Sequence, residues 1–320
     1  MFNYNVLCIG SATVDNFLTI DKPLSSVKLG DKVLVRHLEK HCGGGGTNSA
    51  AALSKLGLKV KVLSKLGSDH EAEFIVKELK KYKVKNICRN RSRKSTDLAT
   101  IISSPYDSDR IIYVHKGASE DLSVKDYNKS SLSADWIYMA SLVGKSFSAG
   151  KEIAAYAEHE KKKLLFNPSY YLAEKGKKAL QPILRATEIL VLNKEEAEAL
   201  LGFHSNNIKK LLKGLQHRGP KIVVITNGKR GVYALHENTI YSLLPPKIKV
   251  VNAAGAGDAF TSGFLFGLIK NYLFADALCL GQVNASSVIQ HIGAKRGLLT
   301  EKEAVGLMKK YKIKINAKKV

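Results

Sequence analysis

The sequence predicts an α/β protein in which a doubly wound, mostly parallel sheet is flanked by helices and carries a small β-sheet lid. From Asp135 onward, short apolar runs alternate with amphipathic helical stretches, a pattern typical of a parallel sheet covered on both faces. Extended segments at about 16–40 and 97–116 fall outside this alternation and suit a separate small sheet. The 320 residues, 45% of them hydrophobic, can bury one large core. We therefore expect a single domain over residues 1–320.

Composition excludes several classes of protein. No apolar run approaches the roughly 18 residues that a membrane-spanning helix needs. Met1 to Gly10 lacks the charged start and cleavage site of a secretory signal. The cysteines are far apart and form no C-x-x-C pair, which indicates reduced thiols; they are Cys8, Cys42, Cys88 and Cys279. We expect a soluble, cytoplasmic protein that does not bind membranes.

The formal net charge of +23 at pH 7 needs an interpretation. The lysines are scattered along the whole chain and are not interleaved with stacking aromatic side chains, so we favour a solvated basic surface. Attraction of an anionic nucleotide and nonspecific nucleic-acid binding are the alternatives, and both would be sensitive to salt. No motif for specific nucleic-acid recognition supports the latter.

The first predicted strand delivers a polar loop. An apolar run from Asn5 to Ile9 ends at Gly10 and predicts a buried strand, and Asp15 follows in the polar segment after it. Asp15 is either a turn residue or a group that binds a substrate hydroxyl, and its position alone leaves both interpretations open.

A run of four glycines, Gly43 to Gly46, precedes Thr47, Asn48 and a predicted helix from Ser49 to Leu56. Ordering consecutive glycines is entropically costly, so we expect them to allow a ligand to approach closely. The run is not the dinucleotide-binding fingerprint, because the third glycine of G-x-G-x-x-G is missing.

Strands and helices are predicted in alternation through the middle of the chain. The predicted elements are the strand Lys59 to Leu66, the helix Glu71 to Tyr82, and then in turn Trp136 to Ala140, Ser148 to Glu160, Lys163 to Phe166, Lys175 to Leu184, Ile189 to Leu192, Lys194 to Leu201, Ile208 to His217 and Ile222 to Thr226. In such a sheet, ligands bind beyond the carboxyl ends of the strands. The polar residues that follow those ends are Asn167, Asn193 with Glu196, and Thr226 with Asn227 and Gly228.

The stretch from Val250 to Ile269 joins a glycine-rich turn directly to a long apolar helix. Gly255, Ala256 and Gly257 leave the backbone accessible, and amides at a helix N-terminus form an anion site. Asp258 stands in or near the first turn. It either caps the helix or takes a proton from a hydroxyl that attacks a bound phosphoryl group.

Taken together, these motifs resemble the ribokinase-like (phosphofructokinase B) carbohydrate and nucleoside kinases over nearly the full length of the chain. Ala254 to Phe260 resembles the G-A-G-D signature of that family, and Gly43 to Ala50 is similar to its G-G-x-x-x-N motif. Three further segments follow the family's order, namely Asn167-Pro168, Asn193 to Glu196, and Thr226 to Gly228 before Gly231.

The resemblance implies ATP-dependent phosphorylation of a hydroxymethyl group on a sugar or nucleoside, with magnesium. Asp258 would be the general base, and the amides of Gly255, Ala256, Gly257 and Asp258 would bind the transferring phosphoryl group. The remaining implied roles are acceptor binding by Asp15, Gly44, Gly45 and Asn48, nucleotide binding by Asn193, Glu196, Thr226, Gly228 and Asn284, and indirect magnesium binding by Glu196 through water. Apart from the resemblance, the exposed face of the predicted lid sheet would favour pairing with a second subunit, so we expect a homodimer through the lid.

Two departures from the family concern the choice of acceptor. Ribose-specific members tend to carry a lysine inside the N-terminal glycine motif and a glutamate near the end of the strand that corresponds to Trp136 to Ala140. This chain has Gly45 and the stretch Ser141 to Gly144 at those places. A more apolar and roomier floor would suit a nucleoside base or a bulkier sugar.

Two rival classes of function stay open at this point. A non-catalytic nucleotide- or sugar-binding regulator on the same fold would have little use for Asp258. A basic nucleic-acid-binding protein would rest on net charge alone. An assay of ATP turnover with candidate acceptors separates both from a kinase.

We predict weak or absent activation by potassium. Many family members have an Asp-Thr pair before the glycine-rich turn, whose aspartate helps to bind a potassium ion, whereas this chain has Asn252-Ala253. An amide lacks the formal charge that makes a carboxylate a strong ligand for a hard cation. Gly297 also replaces a serine found in some members. The measurement is turnover in buffer free of sodium and potassium, before and after adding potassium; a rise of about tenfold or more would contradict the prediction.

Overall fold

The structure, a computed structural model, describes residues 4–107 and 109–320. Met1 to Asn3 and Ser108 lie outside the described residues. Met1 to Asn3 begin the segment that was considered as a secretory signal, and Ser108 is one position of the predicted lid segment 97–116.

Over the described residues the chain forms fourteen β-strands and ten α-helices. The strands are β1 Val6–Ile9, β2 Thr13–Ile20, β3 Val35–Gly43, β4 Val60–Leu63, β5 Lys85–Asn86, β6 Asp97–Ser103, β7 Ile111–His115, β8 Trp136–Met139, β9 Lys163–Phe166, β10 Ile189–Asn193, β11 Ile222–Thr226, β12 Val232–His236, β13 Thr239–Leu243 and β14 Ile315–Lys319. The helices are α1 Gly45–Lys55, α2 His70–Lys81, α3 Ser146–His159, α4 Tyr170–Ala173, α5 Gly176–Ala186, α6 Lys194–Leu201, α7 Ile208–Gln216, α8 Ala256–Ile269, α9 Phe274–Val288 and α10 Glu301–Tyr311.

The main sheet confirms the predicted fold class. Its strand order is β14-β13-β12-β11-β10-β9-β8-β1-β4-β5, and the strands from β11 to β5 run parallel. All four residues of β1 are buried, because successive side chains enter opposite cores. Val6 and Cys8 pack on the side of α1, α2, α8, α9 and α10, whereas Leu7 and Ile9 pack on the side of α3 to α7. Among the described helices, none is both long enough and apolar enough to cross a membrane.

One edge of the main sheet differs from the alternating pattern seen in the sequence. Strands β12, β13 and β14 extend the sheet beyond β11 in antiparallel pairing. The last of these comes from the end of the chain and pairs with β13. The hairpin of β12 and β13 contains no helix, whereas α8, α9 and α10 lie between β13 and β14 in the sequence. Local alternation of strands and helices does not reveal antiparallel pairing of this kind.

The small sheet is separate from the main sheet and has the order β3-β2-β6-β7. Strands β2 and β6 pair in parallel, and the two outer pairs are antiparallel. Strand β2 spans Thr13–Ile20, so it contains Asp15 as well as the first residues of the predicted lid segment 16–40. The same continuous strand therefore carries a candidate binding residue and the lid.

The glycine run is ordered as the end of β3 and the start of α1. Helix α1 begins at Gly45 rather than Ser49, so the helix start expected from the sequence was wrong. Gly44 adopts a φ of 90°, and the Gly46 amide donates to the Ser11 carbonyl at 3.0 Å. Gly44 thus forms the cap of α1, and Gly45 and Gly46 lie in its first turn.

Helices α8 and α9 cross with their backbones in close contact. A Cβ on Gly263 would lie 2.7 Å from the Leu280 carbonyl oxygen, and one on Gly267 would lie 2.7 Å from Ala277. Gly281 on α9 has the same relation to the Phe260 carbonyl oxygen, again at 2.7 Å. Glycine at these helical positions therefore lets the helices approach each other, and this offsets its poor helix propensity.

We predict that Gly263→Ala destabilises the protein although alanine favours helix. The new methyl group would force α8 and α9 apart, which costs about 1–3 kcal/mol. Gly306→Ala on α10 is the matched control, because a Cβ there meets nothing within 4 Å. The control should gain about 0.5–1 kcal/mol from helix propensity. Urea unfolding of both variants measures the difference, and equal effects of the two substitutions would refute the packing argument.

Candidate functional site

Three elements meet at the candidate site with almost no side chains between them. A Cβ on Gly46, in the first turn of α1, would lie 2.9 Å from backbone atoms of Gly10 at the end of β1. A Cβ on Gly10 would lie 2.7 Å from the Cβ of Ala140, which follows β8. The first turn of α1 therefore reaches the carboxyl ends of β1 and β8, where open parallel sheets bind ligands.

Helix α8 also starts at this edge. Its cap, Gly255, has a φ of 74°, and a Cβ there would lie 2.4 Å from the Cβ of Ala294. The Gly257 and Asp258 amides have no acceptor within the described part of the chain, and no side chain caps the helix. A Cβ on Gly257 would meet nothing within 4 Å. Open space therefore lies in front of unbonded amides at the positive end of a helix dipole.

Asp258 is held in this first turn by a contact with α1. Its Oδ2 accepts a hydrogen bond from Asn48 Nδ2 at 2.9 Å. Gly45 lies opposite, where a Cβ would be 3.7 Å from Asp258 Oδ1. Burial raises the pKa of Asp258 to about 6, while the Asn48 hydrogen bond and the Lys295 charge act in the opposite direction. A carboxylate with this pKa can accept a proton near neutral pH.

Lys295 belongs to the site but was missed in the sequence. Its Nζ donates to the Cys42 carbonyl at 2.6 Å, to Thr47 Oγ1 at 3.1 Å and to Asn48 Oδ1 at 2.7 Å. The local signal is a lysine between Gly293 and Gly297, and flanking glycines indicate a loop without showing what the lysine contacts.

Asp15 lies on β2 against the glycine run. A Cβ on Gly43 would be 2.0 Å from the Asp15 carboxylate, so only glycine leaves room for that side chain. Burial raises the pKa of Asp15 to about 6, which the Lys295 and Lys116 charges oppose and the Asp258 charge reinforces. Gly45 and Asn48 therefore lie next to Asp258, and the Asp15 carboxylate lies near enough to feel its charge.

Asn193 and Glu196 form a reciprocal cap at the start of α6. Asn193 Oδ1 accepts from the Glu196 amide, and a Glu196 carboxylate oxygen accepts from the Asn193 amide, both at 2.8 Å. Burial raises the pKa of Glu196 to about 7, and the Asp258 charge contributes to the rise. The carboxylates of Glu196 and Asp258 are therefore close enough to interact electrostatically.

Thr226 and Gly228 stand at the same edge of the sheet. Thr226 ends β11 and pairs in register with Asn193 at the end of β10. Gly228 follows with a φ of 51° and opens an exposed 3-10 turn. These residues extend the site away from Asp15 along the carboxyl ends of the strands.

The side chain of Asn284, suggested from the sequence as a nucleotide contact, is held between α8 and the segment before α10. It is fully buried on α9, its Nδ2 donates to the Ala259 carbonyl at 2.8 Å, and its Oδ1 accepts from the Leu299 amide at 3.2 Å. Both ends of the side-chain amide bond to backbone, and the role of Asn284 in nucleotide binding stays a prediction. Asn167 is also engaged, because it accepts from Tyr138 and donates to the Val191 carbonyl.

Asn252 uses its amide oxygen locally. Oδ1 accepts from the Ala254 amide at 2.7 Å, which closes a small turn immediately before Gly255. The oxygen that could have faced a monovalent cation is therefore engaged in shaping the turn.

Comparisons with known proteins give consistent findings. The family model described as pfkB family carbohydrate kinase matches residues 3–301. The 5-dehydro-2-deoxygluconokinase of Clostridium tetani is 29% identical over 302 residues, covering 89% of this chain and 87% of that protein. The crystal structure of Methanocaldococcus jannaschii nucleoside kinase matches with a TM-score of 0.79 at 22% identity, over 96% of this chain and 98% of that chain. The structure of Arabidopsis thaliana ribokinase complexed with ribose and ATP matches with a TM-score of 0.81 at 20% identity, over 96% and 99%.

Proposed function

Because the chain belongs to the pfkB family of carbohydrate kinases, and is therefore a phosphotransferase with an alcohol group as acceptor, we propose that it transfers the γ-phosphoryl group of ATP to a hydroxymethyl group of a sugar or nucleoside. The observation that carries the proposal is the Asp258 carboxylate in the first turn of α8, next to unbonded amides and open space. ATP as the donor is supported by the ribokinase complex with ribose and ATP.

In the proposed reaction Asp258 is the general base. The acceptor hydroxyl attacks the γ-phosphorus, its proton passes to the Asp258 carboxylate, and the bond from phosphorus to the leaving oxygen of ADP breaks. With a pKa of about 6, Asp258 is ionised at neutral pH and yet remains a base of useful strength.

The amides of Gly255, Ala256, Gly257 and Asp258 are proposed to stabilise the transferring phosphoryl group. Negative charge on its equatorial oxygens would face the N-terminus of α8, where backbone N–H groups and the helix dipole are oriented before the reaction. The Ala256 amide has only a 3.3 Å contact with the Ala253 carbonyl, so it too can turn to an anion.

The acceptor is proposed to lie between Asp15 and Asp258, against Gly44 and Gly45. Asp15 can accept hydrogen bonds from sugar hydroxyls, and Asn48 has a second N–H besides the one given to Asp258. The absence of a side chain on Gly45 leaves room for a bulky group next to the base. A sugar, a sugar acid and a nucleoside are therefore the classes to test first.

Nucleotide and magnesium are proposed to occupy the side of Asn193, Glu196, Thr226 and Gly228. Glu196 fits a role near a cation, since it is a partly buried acid with a pKa of about 7 and has one carboxylate oxygen free of hydrogen bonds within the described residues. Magnesium, when bound, would neutralise phosphate charge, and Glu196 would orient its water ligands.

The small sheet is proposed to act as a lid and as a dimer interface. Leu18 pairs in register with Leu38 and with Ile102, and Ile102 pairs with Ile111, so these four form an apolar row across the sheet. Leu18, the member of the row on β2, is three residues from Asp15, and side chains an odd number of residues apart on a strand point to opposite faces. The row therefore lies on the face opposite to Asp15. One face of the lid would thus cover the acceptor and exclude water, and the other would pack on a second copy.

We predict that Asp258→Asn lowers turnover by roughly 10²-fold or more, the usual scale for a lost general base, while the fold and most ATP affinity persist. The assay uses ATP and magnesium with a panel of sugars, sugar acids and nucleosides. Asp135→Asn is the matched control, because the same chemical change falls on an exposed surface position. Near-normal turnover of the Asp258 variant with the best acceptor would overturn the assignment of the base.

We predict that the protein sediments as a dimer and that Leu38→Asp converts it to a monomer. Leu38 is 67% exposed in the single chain and lies in the apolar row of the lid. Leu273→Asp is the control, since Leu273 is 75% exposed but lies before α9, outside the lid. Sedimentation velocity distinguishes the states; a monomeric unmodified protein, or dissociation caused equally by both substitutions, would contradict the lid interface.

A further inference from the structure

We propose that Lys295 is a positioning residue for the phosphoryl transfer, whose ammonium group fixes the Asn48 side chain so that the amide N–H faces Asp258. The inference rests on the proposed role of Asp258 as the base. It adds a residue from the loop after α9 to a site otherwise made from β2, the first turn of α1 and the first turn of α8.

The contacts of Lys295 account for its whole donor capacity. An ammonium group has three N–H donors and no acceptor. Here the three acceptors are the Cys42 carbonyl, Thr47 Oγ1 and Asn48 Oδ1, at distances of 2.6, 3.1 and 2.7 Å. With these contacts in place, no N–H of Lys295 is left to bind a sugar or nucleoside, so Lys295 acts through Asn48.

The orientation of the Asn48 amide follows from this contact. The oxygen and nitrogen of an amide have nearly the same shape, and their partners decide which way the group faces. Lys295 can only donate, so it holds Oδ1 and turns Nδ2 toward Asp258 Oδ2, 2.9 Å away. Without the ammonium group, a flipped amide would place its oxygen against the carboxylate and remove the hydrogen bond that favours the ionised base.

The charge of Lys295 favours the ionised form of Asp258, as the hydrogen bond from Asn48 does. No carboxylate forms an ion pair with Lys295 among residues 4–107 and 109–320, and its charge lowers the pKa of both Asp15 and Asp258. The other titratable groups coupled to Asp258 are Asp15 on β2, Glu196 on α6, Cys8 on β1 and Tyr138 on β8. Each of those four is either neutral or negative, so none of them stabilises the ionised form of Asp258. Lys295 is the cation that lowers the pKa of Asp258.

The same loop supports the start of α8. Ala294 packs against Gly255, where a Cβ would come within 2.4 Å of the alanine methyl group. Its neighbour Lys295 reaches Cys42, Thr47 and Asn48 around the start of α1. Two adjacent residues thus connect the turn that presents the amides with the helix that presents Asn48.

We predict that Lys295→Met moves the acid limb of the pH profile of kcat/KM upward by about 0.5–1 pH unit, because the pKa of Asp258 rises when the nearby cation and the fixed amide are lost. At pH 7 turnover should fall by no more than about twofold, since a rise of about 0.5–1 unit from a pKa of about 6 leaves half or more of Asp258 ionised, while the KM for ATP changes little. Lys295→Arg keeps the charge and should restore the position of the acid limb. Lys295→Gln is a second neutral variant that can still donate, in case the methionine variant does not fold.

Arg296→Met is the matched control. It removes the same charge from the adjacent position, but Arg296 is largely exposed and pairs with Glu39 at 2.9 Å instead of Asn48. The acid limb should stay where it is in this variant. An equal shift in Arg296→Met would show that loop charge in general, and not the Asn48 contact, sets the pKa.

A direct titration keeps this inference separate from the proposed function. The pKa of Asp258 is followed by NMR of ¹³C-labelled aspartate carboxyls, and its signal is identified by its loss in Asp258→Asn. A higher pKa in Lys295→Met than in unmodified protein and Arg296→Met supports the positioning role even if no acceptor is turned over, which would contradict only the proposed function. An unchanged pKa in folded Lys295→Met and Lys295→Gln would overturn the inference whatever the turnover.

Discussion

A carboxylate that must remain ionised while partly buried is the constraint on which the site depends. Burial alone moves the pKa of Asp258 upward, and the acids Asp15 and Glu196 share its electrostatic field. The chain opposes this with one amide hydrogen bond and one ammonium group, neither of which pairs with the carboxylate as an ion pair would. A direct ion pair would hold the base too acidic to accept a proton well, whereas a cation acting through an amide leaves its basicity near neutral pH.

The fold meets this constraint by bringing two helix N-termini to one edge of the sheet. Asn48 and Asp258 are 210 positions apart in sequence, yet each stands in the first turn of its helix. Gly10 and Gly46 allow the backbone of α1 to touch the end of β1. Although the chain carries a net charge of +23, this centre combines the acids Asp15 and Glu196 with the opposing charges of Lys295 and Lys116.

The sequence predicted those features that depend on interactions between neighbouring residues in the chain. The buried runs and amphipathic helices foretold the parallel sheet, and the glycine turn before an apolar helix indicated Asp258, because both signals lie within a few adjacent residues. The start of α1 and the role of Lys295 depend on contacts with Ser11, Cys42 and Asn48 that the sequence does not place in space. For Asn284, the sequence suggested a nucleotide contact but could not show that both ends of its side-chain amide bond to backbone.

The loop of residues 293–297 differs from an ordinary surface loop in its response to insertions and deletions. Loops between helices usually accept changes of length because nothing depends on the exact position of each residue. Here Ala294 and Lys295 make separate contacts on different elements, whereas Arg296 is exposed. Gaining or losing one residue would shift both contacts out of place at once. We therefore expect this loop to tolerate substitutions but not insertions or deletions, and to tolerate substitutions best at Arg296.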